Sequence, residues 1–239
     1  MRHSSNFGPF WLGLCLVAGL AALGYLIGEA AVLVKEYERS VSAKGLSERE
    51  YPADVVIWPV TLTVAGNDLG GLYEQLDATG QRIKAFLEQS GIEGDAVTLS
   101  SPTLTDKYAQ AWGDAQRPEF RYVASRVVTV YSPQVALVRS TMGGLLELGK
   151  EGIAFTGDQY QNQVEYLFTR LNEVKPAMIE EATIKAREVA MKFAADSESE
   201  LGKIRRASQG QFSIEPRDTN NPHIKKVRVV STVEYYLSD

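Results

Sequence analysis

The residue types that most often carry chemistry are scarce in this chain. Among 239 residues there are two histidines and one cysteine. A single cysteine forms neither an intramolecular disulfide nor a Cys-rich zinc site. His3 and His223 have no second histidine or cysteine beside them, so neither has metal-ligand spacing. A calcium loop needs a dense run of oxygen ligands. The nearest approach, Asp218-Thr219-Asn220-Asn221, lacks the remaining ligands and reads as a hairpin turn. There is no GxxxxGK(S/T) segment and no strand–GxGxxG–helix unit to hold phosphate. Gly143-Gly144 lies inside a helical pattern and reads as a point of close packing. No GxSxG elbow is present, and a Ser-His-Asp set would have to use His223. Any two of the 30 acidic residues could converge as a carboxylate pair, which spacing alone does not decide. No catalytic, cofactor-binding or metal-binding residue is therefore assigned, no cofactor is expected, and the chain is not expected to be an enzyme.

Two basic clusters are the remaining candidates: Lys203, Arg205 and Arg206, and Lys225, Lys226 and Arg228. If the last two strands pair through a turn near Asn220, Arg206 falls opposite about Val233 and Lys225 opposite about Ile214. The clusters then sit at opposite ends of a hairpin and read as solvated strand ends, not one anion patch. The formal charge of -5, from 25 basic and 30 acidic residues, argues against a nucleic-acid binder. Trp58, Tyr235 and Tyr236 read as core and sheet residues.

The elements that must position these groups begin with an apolar run. Phe7 to Gly28 contains 22 residues and no charge, enough for a helix to span a hydrocarbon core of roughly 30 Å. Pro9 suits a helix start, and Phe10, Trp11 and Tyr25 suit the two interfaces. Three readings compete: an uncleaved signal anchor, a cleaved signal peptide with Gly28-Glu29-Ala30 as a small-x-small site, and a buried core helix. The run is longer than an ordinary signal-peptide core of about 7–15 residues, which favours the anchor. Nothing polar gives it an outward face, which disfavours the core helix. Lys35, Arg39, Lys44 and Arg49 follow the run and do not by themselves favour an inside N-terminus. A large following domain nevertheless translocates largely regardless of charge. Gly24 and Gly28 form a GxxxG pair that permits close helix approach, although glycine is also simply common in spans. Cys15 reads as a small apolar residue.

Residues 35–50 read as a polar linker that enters a strand near Val41–Lys44. Val56, Trp58, Val60, Leu62 and Val64 alternate onto one strand face. Pro59 implies an edge segment or a bulge. Asn67-Asp68 offers a helix cap, and Gly91 closes that helix near Ser90. Val97–Leu104 and Tyr122–Tyr131 read as strands joined by an exposed loop. Ser132-Pro133 starts a helix that runs to Gly149, and Gln163–Phe168 is a short strand. A third helix is predicted over Lys175–Leu201, because Pro176 belongs in a first turn. Its stripe is Ile179, Ala182, Ala186, Val189 and Phe193. Lys203–Ile214 and Lys225–Leu237 close the chain as a strand pair. The order predicts an α+β fold, with antiparallel sheets packed against about three helices and one N-terminal transmembrane helix in front. The expected divisions are an anchor over 1–34, a linker and first strand over 35–50, and an α+β domain over 51–239.

The stretch Tyr166–Ile214 reads YLFTRLNEVKPAMIEEATIKAREVAMKFAADSESELGKIRRASQGQFSI. It resembles the SIMPL-domain family through its YLFT-x-LN-x-x-KP-x-M opening, its EAT-x-x-AR-x-x-A-x-x-FA-x-DS helix and its LGKI-x-x-A-x-QG-x-F-x-I strand. Lys44-Gly45-Leu46, the segment ADVVIWP at 53–59 and the closing KKVRVVSTVEYYL add to the resemblance, which covers about Val41 to Leu237. It implies an α+β domain exported behind an N-terminal signal or anchor, with oligomeric assembly. It also implies links to oxidative stress in bacteria and to kinase signalling in animals, and supplies no catalytic residues. Lys175-Pro176, Ala186-Arg187 and Gln209-Gly210 are family motif positions, with good physical readings as helix start, packing face and strand turn. The expectation is a single-pass protein of the bacterial inner membrane with its C-terminal domain in the periplasm, or a periplasmic one after signal cleavage. It would act as a homo-oligomer or by binding in the cell envelope, without catalysis, with stress response as the expected setting. The rival is an envelope ligand-binding module or enzyme, which requires a concave pocket with convergent polar groups.

Overall fold

A computed structural model describes residues 7–37, 39–110, 118–150, 152–155 and 163–238. Arg2, His3 and much of the expected loop, 111–117, lie outside the described residues. The first helix, α1, runs Phe7–Tyr37. Its segment Trp11–Ala30 has a mean hydropathy of 2.0 and is long and apolar enough to cross a membrane. None of that segment is buried within the chain, which removes the buried-core reading and leaves an anchor or a signal sequence.

The remainder is α+β with antiparallel sheets, and the chain divides into two compact units. One comprises Arg49–Val174 and Ile214–Val227. Its sheet is built on β2 (Val55–Gly66) and β5 (Tyr122–Ser132), paired from Val56↔Ser132 to Gly66↔Tyr122. The period-two pattern does what it predicts: Val56, Trp58, Val60 and Leu62 are all buried. On its other side β2 pairs with β6 (Glu165–Leu167) only over Val55–Ile57. Pro59 thus falls where β2 has no ladder on that side among the described residues, the place a residue without an N–H is tolerated. The helix α2 (Leu69–Gln89) lies against β2 and β5. Asp68 caps it by accepting from the Gly71 amide at 2.7 Å. Leu72, Leu76, Ile83 and Leu87 form its buried stripe, and Gly91, at φ 91°, closes it.

Two expected elements divide. The strand over Val97–Leu104 becomes β3 (Val97–Leu99) and β4 (Thr103–Asp106), both paired with β5, because Pro102 lacks a ladder donor. A single helical turn, α3 (Lys107–Gln110), follows β4. The helix expected from Ser132-Pro133 to Gly149 is α4 (Val135–Met142) and α5 (Leu145–Lys150), broken at Gly143-Gly144. A Cβ at Gly144 would lie 2.7 Å from Phe86 Cζ, so the close-packing role holds for Gly144, whereas Gly143 has room for one. Ser132 and Pro133 precede α4: Gln134 is the N-cap residue, without a side-chain cap, and its amide donates to Ser132 Oγ at 3.1 Å.

The other unit comprises residues up to Glu48, Lys175–Ser213 and Arg228–Asp239. A second sheet has the order β1-β9-β7, from β1 (Ser40–Pro52), β9 (Ile224–Ser238) and β7 (Glu200–Gln209), with β8 (Ser213–Pro216) also pairing with β9. Most of the expected linker is therefore strand. Its charged outer residues masked the alternation, in which Ala43, Gly45 and Ser47 turn inward. The helix α6 (Leu171–Asp196) starts four residues before the expected Lys175. Pro176 withholds a donor from the Asn172 carbonyl, but Asn172 is exposed and water can serve it. The helix ends at Asp196, short of the expected Leu201, and Glu198 just beyond it takes φ 54°. Its buried stripe is Met178, Ala182, Ala186, Ala190 and Ala194, which keeps Ala182 and Ala186 of the expected stripe but not Ile179, Val189 or Phe193; Val189 and Phe193 are exposed. The small core joins Ala186 and Ala190 to Ala43, Val233 and Tyr235. Arg206 pairs with Glu234 and Ala207 with Val233, one position from expectation, because β7 carries register shifts between Leu201 and Arg206.

Candidate interaction surface

His223 is half-buried, and its ring meets the Tyr166 ring edge-on at 6.0 Å. Burial, then the Arg139 and Arg217 guanidinium charges, hold its pKa below the usual histidine range against the pull of Asp218. Asp218 accepts from the amides of Asn220 and Asn221, from Asn221 Nδ2 and from Arg217 Nε. The Arg217 hydrogen bond chiefly keeps its carboxyl below the ordinary range. That is the expected turn, its oxygens engaged within the turn itself. Among the described residues, no three of His, Cys, Asp and Glu come together as a metal site.

Arg205 donates to Glu234 at 3.0 Å and to Ser40 Oγ at 3.2 Å. Lys225 points inward and is buried, with its amine held below the usual lysine range by desolvation, while Arg228 is exposed. Solvated strand ends is thus wrong for Lys225: on β9 it shares the inward face with Val227. Tyr235 is core, whereas Tyr236 is exposed. Of the motif positions, Lys175 Nζ lies 5.9 Å from the Phe212 ring centre and Ala186 is buried beside an exposed Arg187. Gly210 donates to the Val230 carbonyl at 2.8 Å.

Asp54 has a role that no spacing revealed. Its carboxylate accepts from the Thr169 amide at 2.9 Å, the Arg170 amide at 3.2 Å and Arg170 Nε at 3.1 Å. Burial pushes its pKa up, but these bonds outweigh it and hold the carboxyl below its usual value. A depressed carboxyl adds stability above its unfolded pKa of about 3.9, lost as the pH falls through the lower folded value. Asp54→Ala should cost about 1–3 kcal/mol at pH 7. In urea titrations the variant's deficit should shrink below pH 4; a deficit independent of pH would contradict this account.

Outside α1 both units expose some large apolar side chains; on the unit carrying α6 several of them lie on α6 and β7. Ile184 is 51% exposed, Phe193 54% and Ile204 on β7 51%. On α6, Ile184 and Met191 are two turns apart on one side, and Val189 and Phe193 one turn apart on another. Between α6 and β7 lies a groove of about 460 Å³. Thr183, Ile184 and Arg187 form one wall, and Gly202, Lys203 and Ile204 the other, with Tyr235 also lining it. β7 is an edge strand exposed along most of its length. Its register shifts and basic residues are the devices that discourage strand addition. The groove and helix face, rather than the strand edge, are therefore the adhesive part of this surface.

The chemistry this surface can do is burial of apolar area against another surface, with Arg187 and Lys203 setting charge preference. No curated protein matches the chain. The family model described as SIMPL, protein of unknown function (DUF541), matches residues 41–234, which takes in both units. The match covers well over half of the sequence, and the chain belongs to the SIMPL family.

Proposed function

We propose that this SIMPL-domain protein is tethered to the bacterial inner membrane by α1, with its α+β part in the periplasm, and acts by self-assembly without catalysis. The observation that carries this reading is the exposed apolar surface of α6 and β7. Ile184 and Ile204, each about half exposed, line a preformed groove, and Met191 and Phe193 are exposed elsewhere on α6. Side chains of this size left in water on one unit mark an association surface. A tether supports the same reading, because chains held in one membrane meet at a raised effective concentration. Gly24 and Gly28 have nothing within 4 Å, so a second α1 can approach there. A stress-response role would follow if assembly changed with the state of the envelope.

Light scattering of the full chain in detergent micelles tests this, and a defined oligomer is expected. Ile184→Asp with Phe193→Asp should weaken association at least about tenfold, since central apolar contacts dominate such interfaces. Gly24→Leu with Gly28→Leu should weaken it only if α1 contributes. A monomer at high protein concentration, or an oligomer indifferent to the α6 changes, overturns the proposal.

A further inference from the structure

A second concavity lies on the other unit, remote in sequence from α6 and β7. It has a volume of about 550 Å³, within the range of small-molecule sites. Pro52, Pro133 and Val135 supply apolar wall, and Gln134, Arg139 and His223 supply polar groups. No acidic residue lines it. Asp218, the one carboxylate felt by His223, is engaged by Arg217, Asn220 and Asn221. Among the described residues, Arg139 has neither a hydrogen bond nor an ion pair, and it is close enough to His223 to disfavour the imidazolium. The α4 start at the same wall has no side-chain cap, so its partial positive charge also faces outward unopposed. His223 is fixed by its carbonyl, which accepts from the Ala53 amide at 2.8 Å, and by the Tyr166 ring.

We infer that this cleft binds a small organic carboxylate, its anionic head between Arg139 and His223 and its apolar body against Pro52, Pro133 and Val135. A cation is disfavoured by the lining. One unpaired guanidinium suits a monoanion, because the Arg217 charge is already spent on Asp218 and Glu50. The apolar wall favours a ligand with hydrocarbon over a bare inorganic ion. A guanidinium receives a carboxylate through two parallel N–H donors, which gives the site orientation as well as charge. The inference stands on residues that self-assembly does not use, so either can fail alone.

The test uses the full chain in detergent micelles with ¹³C-labelled histidine, which reports only His3 and His223. The probe is sodium benzoate at constant ionic strength, with benzamide as its neutral counterpart. Benzoate should shift the His223 ring signal saturably and raise its titration midpoint, since a bound anion favours the imidazolium and offsets Arg139 and Arg217. His3 should not follow. Arg139→Gln, at an exposed position, should weaken the response roughly tenfold, and Arg139→Lys should retain part of it. A shift that never saturates, an equal response to benzamide, or unchanged affinity in Arg139→Gln overturns the inference.

Discussion

Gly45→Ala should be the most damaging glycine substitution among the described residues, lowering stability by about 3 kcal/mol or more, at the top of the usual range for overpacking. Gly45 turns inward from β1, where α6 passes over it. A Cβ there would overlap the Ala182 carbonyl oxygen and the Ala186 amide nitrogen. Both are helix backbone, so neither can rotate away as a side chain would; relief requires α6 to shift from the sheet. Displacing α6 would separate Ala186 and Ala190 from Ala43 and Val233, the small core itself. Gly149→Ala is the contrast. Gly149 is within α5, at ordinary φ, with nothing within 4 Å. It should be neutral or stabilising by up to about 1 kcal/mol, because alanine is the better helix former. Urea unfolding of the full chain in detergent, followed by far-UV circular dichroism, compares the two. Equal effects would refute the close approach at Gly45.

Leu76→Ala should cost about 2–5 kcal/mol, the range for removing a fully buried leucine. Leu76 is 0% exposed on α2, in the core shared with Val56, Leu62 and Val128. Three lost carbon atoms leave a void between a helix and a continuous two-strand ladder, and the ladder from Val56 to Gly66 limits collapse into it. Leu146→Ala removes the same atoms from an exposed position and should change stability by less than about 0.5 kcal/mol. The same denaturation measurement applies; a loss below about 1 kcal/mol for Leu76→Ala would mean that this core is looser than its burial implies.

The elements that were legible in the sequence are those whose hydrophobic signal is strong. In β2, large residues alternate with threonines, and in α2 leucines and isoleucine recur between an Asp68 cap and a Gly91 stop. The buried face of α6 was not legible, because four of its five inward residues are alanines and the larger Ile184, Val189, Met191 and Phe193 face water. A periodicity argument ranks side chains by size and apolarity, and here close backbone approach at Gly45 requires the opposite order. The same feature hid the extent of β1, expected only near Val41–Lys44, whose inward residues are Ala43, Gly45 and Ser47. The candidate surfaces were less legible still. The cleft at His223 draws on residues 52–53, 133–139 and 223, and the α6 groove on residues 183–187, 202–204 and 235. Spacing along the chain contains no signal for groups so far apart. The Asp54 contact with Thr169 and Arg170 crosses more than a hundred residues for the same reason.

The sheet order β1-β9-β7 also sets a timetable. β1 begins at Ser40, immediately behind the apolar helix, and its neighbour β9 ends at Ser238. The Leu237 amide donates to the Arg39 carbonyl at 2.9 Å, joining two positions almost two hundred residues apart. Of these three strands a ribosome therefore makes β1 before β7, and β9, which pairs with β1, after both. Throughout that interval β1 has a vacant flank, and loop closure of this length is slow as well as entropically costly. The sheet that includes β1 stays unfinished until β9 is delivered, so β9 closes it.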